Sequence, residues 1–252
     1  MSSLGMADKV AIALVLLALA GQLFFQSARR RAPYSKLRKV NAYQSADLLI
    51  SAVAEKGRRL VLGIGNNLTD QGASLSGVAG LPLLKAISRR SLFNDQKLQT
   101  VSGDGVLACL SQMVTHGAYQ NAVAVELFQP GEAVLAGTTR FASLAGLLPE
   151  VNHRANGGVI LSGQFEGETL LALDLAARKN ILVAGSTASL GGQAAFLAGV
   201  CNLALGEDYY APAASLETDP AAAASLRAQD LLRIIIAIAL LVGAGLTIAG
   251  VL

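Results

Sequence analysis

The chain has 252 residues, of which 53% are hydrophobic, and its formal net charge is +3. The mean hydropathy of +0.50 is typical of a folded domain that carries membrane-spanning segments. Residues 1–41 hold seven Lys and Arg against one Asp, whereas residues 42–225 hold eleven Lys and Arg against fifteen Asp and Glu. The mildly acidic middle argues against nucleic-acid binding, which needs a basic surface on the folded domain.

The first apolar segment predicts a transmembrane helix over residues 7–27. Its length is about 20 residues, enough for a bilayer core of ~30 Å, and Lys9 can extend toward the headgroups. A basic juxtamembrane linker follows at residues 28–41. A cleaved signal peptide is the competing interpretation, because Ala18-Leu19-Ala20 resembles a cleavage site. The arginines directly after the apolar run oppose translocation and favour a retained anchor.

The last segment, residues 219–252, predicts a juxtamembrane helix that continues into a second transmembrane helix. Asp219 and Pro220 suit a helix start, and no charged residue occurs from Ile234 to the last residue. A buried core helix is the alternative. The basic linker follows the first span, and Arg227 and Arg233 precede the uncharged run of the second. Both basic groups would therefore lie on the same side of the membrane. The positive-inside rule therefore predicts both termini outside and residues 42–218 in the cytoplasm.

Short apolar segments alternate with amphipathic ones through residues 42–218. The predicted strands cover residues 59–63, 98–102, 122–128, 158–162, 181–184 and 202–205. The predicted helices cover residues 42–56, 81–91, 104–119, 132–148, 167–178, 192–200 and 207–216, and Pro149 is expected to end the fourth. In the helix over 104–119 we expect an inward face made of Val106, Leu107, Leu110, Met113 and Val114.

Apolar strands that are each followed by a helix indicate a parallel sheet covered on both faces. The predicted fold class is α/β, with a doubly wound, mostly parallel sheet of Rossmann-like or flavodoxin-like type, flanked by two transmembrane helices. The strand order stays open. Cys109 and Cys201 lie in apolar contexts and are predicted to be buried free thiols in a reducing compartment.

In such a fold, ligands bind at the carboxyl ends of the strands. Glycines and polar residues follow four of the predicted strands, where backbone amides could approach an anion. The candidate ligand-binding residues are Gly63, Gly65, Asn66, Asn67, Ser102, Asp104, Ser162, Ser186 and Thr187.

Each candidate has a plainer structural interpretation. Gly63-Ile64-Gly65 matches the opening of a dinucleotide fingerprint, but Leu68 replaces the third glycine, which favours an ordinary turn. Asp104 opens a helix, and capping is favoured over catalysis. The tyrosine pair Tyr209-Tyr210 is either part of the core beside a helix start or part of a contact surface.

No catalytic residue, metal ligand or cofactor is predicted. Ser186, Thr187 and Ser189 form a hydroxyl cluster without a nearby histidine base, because His116 falls late in a helix and His153 in a loop. The two histidines are isolated, and no metal-ligand spacing is present. Glu166 and Glu168 are predicted to be first-turn helix carboxylates rather than an acid–base pair.

Four stretches carry a resemblance to a known family: G-R-R-L-V-L-G-I-G at 57–65, I-L-V-A-G-S-T-A at 181–188, C-N-L-A-L-G-E-D-Y-Y-A-P-A-A-S-L at 201–216, and S-L-R-A-Q-D at 225–230. From end to end the chain resembles a bacterial family of unknown function. The resemblance implies an N-terminal span, a cytoplasmic α/β domain and a C-terminal span, and hence the bacterial cytoplasmic membrane. It implies no activity.

Two functions are compatible with these features. The first is a membrane-anchored scaffold that presents the α/β domain, self-associates and performs no catalysis. Its expected partners are the lipid bilayer, further copies of the chain or other membrane proteins, and not nucleic acid. The alternative is a membrane-tethered domain that binds or senses a nucleotide or small ligand at the strand ends. An enzymatic role is the weakest interpretation.

Overall fold

The computed structural model describes residues 6–27, 41–66, 68–69, 72–73, 75–92, 94–199, 203–211, 216 and 220–248. The chain divides into two compact units. One unit contains residues from both ends, Met1–Arg38 and Thr218–Leu252, and the other is the globular domain, Lys39–Glu217.

Within the described part of the domain, six parallel strands form the main sheet. Their bounds are β1 Arg59–Ile64, β4 Gln99–Ser102, β5 Ala133–Leu135, β6 Asn156–Ser162, β7 Leu182–Thr187 and β8 Leu203–Leu205; a small antiparallel hairpin, β2 Leu68–Thr69 and β3 Gly72–Ala73, lies apart. The sheet order is β5-β4-β1-β6-β7-β8. If these six strands are counted along the chain, the order is 3-2-1-4-5-6, which defines a Rossmann-type sheet.

Helices cover both faces of this sheet. The bounds in the domain are α2 Asn41–Glu55, α3 Leu81–Ser91, α4 Gly105–Asn121, α5 Arg140–Asn152, α6 Thr169–Arg178 and α7 Leu190–Gly199. Helices α2, α3 and α4 pack on one face, and α5, α6 and α7 on the other. The predicted α/β parallel architecture is therefore confirmed, and the packing explains why the central strand β1 is apolar from Leu60 to Ile64.

The core lies between the sheet and the two helical layers. Strand residues Val61, Val159 and Leu161 point into a cluster with Leu147 of α5 and Phe196 of α7. Alternate strand residues point to the opposite face, against α2. The amphipathic pattern of the sequence places Ala46, Leu49, Ile50, Val53 and Ala54 on one side of this helix; the first four are buried and Ala54 is partly buried.

Two predictions for residues 122–148 were wrong: the strand at 122–128 is absent, and the helix predicted over 132–148 begins and ends at other residues. Helix α4 continues to Asn121, and Val123 adopts a left-handed conformation with φ 56° that closes the helix. A 3₁₀ turn, Val125–Leu127, replaces the predicted third strand. The strand is instead β5, which falls inside the predicted helix, and α5 begins only at Arg140. Pro149 lies inside the last turn of α5 rather than ending it.

The predicted inward face of α4 was right for Leu107, which is buried, but wrong for two of its other residues. Val106 and Met113 are 63% and 68% exposed, and Cys109 is an exposed free thiol rather than a buried one. The buried face instead carries Leu107, Ala108, Ser111, Thr115, Ala118 and Tyr119. Of the polar residues there, Ser111 can pair with Ser102 of β4, with 3.4 Å between their hydroxyl oxygens, whereas the Thr115 hydroxyl has no hydrogen-bond partner among the described residues. Cys201 lies outside the described residues.

The other unit contains α1, Met6–Ser27, and α8, Pro220–Ile248, which contact each other. Within the described residues, the segment Ala223–Gly245 of α8 is the one helix long and apolar enough to cross a membrane, with mean hydropathy 1.8. In α1 the apolar segment is Leu14–Phe25, shorter than the ~17 residues that a span requires. The unit thus contains one helix with the length and composition of a span.

Candidate functional site

The strand order places the topological switch point between β1 and β6, where Rossmann-type domains bind ligands. Here the loops that follow these two strands touch each other. The backbone N–H of Asn66 donates to the carbonyl of Gln164 at 3.3 Å. A Cβ atom on Gly65 would lie 2.1 Å from that carbonyl oxygen, and one on Gly163 would lie 2.4 Å from the nitrogen of Gly65. The backbone of the loop after β6 therefore occupies the space at the switch point that a ligand would need in order to approach Gly65.

The Gly63-Ile64-Gly65 turn has a packing role in this structure. Gly63 is within β1, and a Cβ there would lie 2.7 Å from a methyl carbon of Leu161 in the neighbouring strand. The turn leads into the β2–β3 hairpin and a 3₁₀ helix, Leu75–Gly80, before α3 begins. The start of α3 also lies against β6, since a Cβ on Gly80 would be 2.9 Å from the Ser162 carbonyl oxygen. The arrangement differs from a dinucleotide fingerprint, in which the helix follows the glycine turn directly.

A cavity opens beside the switch point, on the face covered by α5 and α6. Its empty volume is about 290 Å³, which includes its open mouth. The lining consists of Gly63, Ile64, Val101, Ser102, Gly103, Arg140, Ser143, Leu144, Leu147, Phe165 and Glu168. The aliphatic and aromatic residues make an apolar floor, and the serines, the guanidinium and the carboxylate add polar groups. This mixture is typical of small-ligand pockets, but most of the volume is open to solvent, and the enclosed space is about 10 Å³, roughly enough for one water molecule.

Asn66 does not line this cavity, but its side chain lies next to Gly103, which does. It is 3% exposed, and its side-chain oxygen accepts no hydrogen bond among the described residues. That oxygen occupies the position next to Gly103, because a Cβ on Gly103 would lie 1.7 Å from it and 3.0 Å from the Cβ of Ser143. An unmet buried acceptor costs ~1–3 kcal/mol. A donor from a water or a ligand would remove this cost.

Asp104 is the N-cap of α4, in agreement with the predicted structural role. One carboxylate oxygen, Oδ1, accepts from the backbone N–H of Val106 at 2.7 Å and of Leu107 at 3.2 Å. The carboxylate thereby accepts hydrogen bonds from two backbone amides that have no partner within the helix.

Ser162 and Ser186 lie on the opposite face of the sheet, whereas Thr187 packs against Gly192 of α7. The Ser186 hydroxyl donates to the Ser162 hydroxyl at 2.9 Å, and both residues are buried. Ser186 and Tyr43 line a second cavity of about 210 Å³ between α2, α3 and the strands β6 to β8. Thr187 is buried and accepts from the N–H of Ser189 at 3.3 Å, as a local turn does. Asn67 lies outside the described residues.

A chain of buried and partly buried hydrogen bonds begins at Tyr43. The Tyr43 hydroxyl donates to the Tyr209 carbonyl at 3.0 Å, and the Tyr209 hydroxyl donates to the Ser76 carbonyl. The Ser76 hydroxyl donates to Gln164 Oε1 at 2.9 Å, and Gln164 Nε2 donates to Glu166 Oε1 at 3.2 Å. Burial raises the pKa of the Tyr43 and Tyr209 phenols above their usual range, so both act as neutral donors.

Sequence reasoning missed several of these residues. Arg140 and Ser143 were assigned to the interior of a predicted helix, whereas they form its first turn beside the cavity. The cap signal of Thr139, whose hydroxyl accepts from the N–H of Ala142 at 3.2 Å, could have located that turn. Tyr43 and Tyr209 are separated by 166 positions, and no local pattern connects them.

The histidines are remote from both cavities. His116 packs edge-on against Phe128 with ring centroids 5.1 Å apart, near the end of α4. His153 accepts from the N–H of Ala155 through Nδ1 at 3.2 Å, just after α5. Both positions are at the amino end of the sheet. Among the described residues, no group of three or more His, Cys, Asp or Glu could hold a metal ion.

The fold and the cavities define a Rossmann-type α/β domain in a chain that also carries one helix suited to a membrane. The chain belongs to the family described as Domain of unknown function (DUF6754), which matches residues 3–252. This match confirms the expected membership of an uncharacterised family. No curated protein and no solved structure matches the chain.

Proposed function

We propose that this protein is a membrane-anchored scaffold that presents its Rossmann-type domain in the bacterial cytoplasm, self-associates and performs no catalysis. The observation that supports it best is the surface of α8. The segment Ala223–Gly245 has mean hydropathy 1.8, and only 6% of the apolar window is buried. A core helix of a soluble protein would be covered, whereas Ile238, Leu240 and Leu241 are 55%, 69% and 74% exposed. Lipid is the environment that suits such a surface.

The proposal includes α1 as a second span. This helix has 22 residues, a length of about 33 Å, and its apolar segment could be completed by Lys9 extending to the interface. Leu16, Leu23 and Phe24 are 60%, 65% and 66% exposed. Gly21 lies close to α8, because a Cβ on it would be 3.9 Å from the Cβ of Ala228. Small residues at helix contacts are typical of membrane hairpins.

Charge placement supports the orientation. Arg29, Arg30 and Arg31 follow α1 directly, and Arg227 and Arg233 precede the uncharged part of α8. Basic residues beside a span are retained on the cytoplasmic side. Both termini would then lie outside, and the domain would lie inside.

Self-association is supported by the small residues on α8. A Cβ on Gly243 or on Gly245 would meet nothing within 4 Å, so both glycines lie on a part of the helix that α1 does not cover. Glycines at such positions allow close approach of a helix from another chain.

Native mass spectrometry of the full chain in detergent tests the scaffold role. We expect an oligomer, and we expect the double variant Gly243→Leu with Gly245→Leu to dissociate it because the added side chains block close approach. Ile238→Leu is the matched control, since it conserves volume at an exposed position of the same helix. A wild-type chain that is strictly monomeric, in detergent and in nanodiscs, would contradict the proposal.

A second candidate function is the binding of a nucleotide or another small ligand, and the unmet Asn66 oxygen beside the first cavity favours it. A ligand at 100 times its dissociation constant would add ~2.7 kcal/mol of stability. The test is thermal unfolding of the full chain with a panel of nucleotides, compared with Arg140→Ala at the cavity and Arg154→Ala, exposed at the amino end, as the control. Absence of a shift with every nucleotide would argue against a nucleotide sensor.

A further inference from the structure

The helical layer formed by α5, α6 and α7 has an almost uncharged outer surface. Of the charged residues in these three helices, Arg140 and Glu150 are partly buried. The exposed ones, Asp174 and Arg178, form an ion pair with each other at 2.8 Å. Helix α7, Leu190–Gly199, contains no charged residue. A helix on the surface of a soluble domain normally presents a polar outer side to water, so this layer departs from the usual pattern.

Large apolar side chains project from this layer. Phe141 of α5 is 69% exposed, Leu170 and Leu171 of α6 are 45% and 55% exposed, and Leu190 and Leu197 of α7 are 83% and 65% exposed. Neighbouring helices of the layer contact each other, so these side chains belong to one continuous surface. We name it the apolar surface, and it also contains the exposed alanines Ala142, Ala145, Ala177, Ala194 and Ala198.

The apolar surface is large enough for a stable interface. The exposed fractions of its side chains correspond to an area on the order of 700 Å². The largest apolar patch on a typical monomer covers ~300–600 Å², and a standard protein interface buries ~800 Å² on each partner. The apolar surface therefore has about the area that one partner contributes to a dimer.

The helical layer on the other side of the sheet has a different composition. Helix α4 is uncharged there as well and exposes Val106 and Met113. Helix α3 packs beside it, however, and presents the exposed side chains of Lys85, Arg89 and Arg90. These cations suit contact with water. The contrast indicates that the layer of α5, α6 and α7 is the one that a partner covers.

The charges at the ends of the helices favour a second copy of the chain as that partner. Helix α5 begins at Arg140 and has Glu150 in its last turn, whereas Glu168 precedes α6, which ends at Arg178 and is followed by Lys179. Each of the two helices therefore has opposite charges at its two ends. If each helix packs antiparallel to the same helix of a second copy, unlike charges approach each other at both ends. Parallel packing would bring like charges together.

We infer that the apolar surface is a dimer interface, in which two copies of the domain pack about a two-fold axis with their α5, α6 and α7 helices antiparallel. The inference rests on the proposed self-association and extends it from α8 to the domain. The exposed row of α7 is Leu190, Ala194 and Leu197, at spacings of four and three residues. The small Ala194 at its middle allows close approach where the axis crosses α7, and each leucine then packs near the opposite end of the partner helix.

Disulfide cross-linking of the full chain in detergent tests this interface. A background with Cys109→Ser and Cys201→Ala receives one cysteine, either Ala194→Cys in α7 or, as the control, Ser51→Cys in α2 on the other side of the sheet. Both positions are exposed and lie inside helices. The proposed axis brings the two Ala194 positions to the ~4.4–6.8 Å between Cα atoms that a disulfide requires. Dissolved oxygen with copper–phenanthroline is the oxidant, and non-reducing electrophoresis measures the linked fraction.

We expect several-fold more disulfide-linked dimer from the chain with Ala194→Cys than from the chain with Ser51→Cys. Adding Leu171→Glu and Leu197→Glu should lower the linked fraction several-fold, because carboxylates would be buried in the interface. Leu48→Glu is the matched control, since Leu48 is 72% exposed on α2 and its replacement should leave the linked fraction unchanged. Equal linked fractions at 194 and 51, or a linked fraction at 194 that the glutamates do not change, would overturn the inference.

Native mass spectrometry of the same chains separates this interface from the proposed scaffold role. A strictly monomeric wild type would refute self-association and the interface with it. An oligomer whose Ala194→Cys chains do not cross-link would refute the interface and leave association through α8 intact. A cysteine at 194 that neither cross-links nor reacts with an aqueous maleimide would also overturn the inference, because a different partner would then cover the apolar surface. With both contacts in place, the variant Gly243→Leu with Gly245→Leu should dissociate only as far as the dimer.

Discussion

Asp104 shows how one side chain can serve the fold at a position that resembles a ligand site. One oxygen of its carboxylate, Oδ1, accepts from the amides of both Val106 and Leu107 and is therefore engaged by the helix. Replacing it with Ala should lower the free energy of unfolding by about 1 kcal/mol. Asp104→Asn, which keeps a capping oxygen, should cost much less. Denaturant unfolding measures both, and equal losses for Ala and Asn would contradict the capping role.

Glu132 is a buried carboxylate that accepts a hydrogen bond from the Tyr119 hydroxyl at 3.0 Å. Burial raises the pKa of Glu132 above its ordinary value, while the Tyr119 hydrogen bond and the charge of Lys97 oppose that increase. The native state then keeps the proton to a higher pH than the unfolded chain does. Stability is therefore expected to fall as the pH rises from the unfolded pKa of ~4.3 through the raised native pKa.

Glu132→Gln should remove this contribution while keeping an acceptor for Tyr119. Relative to the wild type, we expect the variant to gain stability at about pH 7 compared with about pH 4. Unfolding curves at the two pH values provide the measurement. A variant whose stability difference from the wild type is the same at both would show that the carboxylate is not titrating in this way.

At the scale of elements, the two loops at the switch point determine whether a ligand can enter the crevice at the carboxyl edge of the sheet. Gly65 and Gly163 allow the loops after β1 and β6 to pack backbone to backbone. The loops can fill the crevice only because neither glycine has a side chain. In this structure, Gly65, which suggested a phosphate-binding turn, allows two loops of the same domain to pack against each other.

This role predicts a sharp contrast between two glycines. Gly65→Ala places a Cβ 2.1 Å from the Gln164 carbonyl oxygen, so we expect a loss of about 1–3 kcal/mol or more from overpacking. Gly105→Ala, at the first residue of α4, meets nothing within 4 Å and should be neutral or slightly stabilising. Thermal or denaturant unfolding compares them. Similar stability of the two variants would exclude tight loop packing.

Element prediction from the sequence succeeded where periodicity was long or apolar runs were clear. Helix α3 has the predicted bounds, and strands β1, β4, β6, β7 and β8 occur where apolar segments were found. It failed at β5, which has three residues, too few to show a period. These three residues form a strand because they pair with β4. Residues 122–128 have strand-like composition, but they form the left-handed end of α4 at Val123 and the 3₁₀ turn that follows it, and they do not join the sheet.

At the scale of the whole molecule, the anchoring proposal predicts a definite sidedness. Arg58 and Arg154 are exposed on the domain and open to trypsin. In inverted membrane vesicles we expect trypsin to cleave the domain, because basic flanks hold it on the cytoplasmic side. In intact spheroplasts we expect protection, which permeabilisation should remove as the control. Cleavage in intact spheroplasts would reverse the proposed orientation.

The sequence by itself determined the features that depend on neighbouring residues. The alternation of apolar strands with amphipathic helices indicated a parallel α/β domain, and an uncharged terminal run indicated a helix suited to lipid. Only the tertiary structure decided the strand order, the contact between Gly65 and Gln164, and the link from Tyr43 to Tyr209. These features join residues that are far apart in the chain, and their energies come from packing and burial that no local window contains.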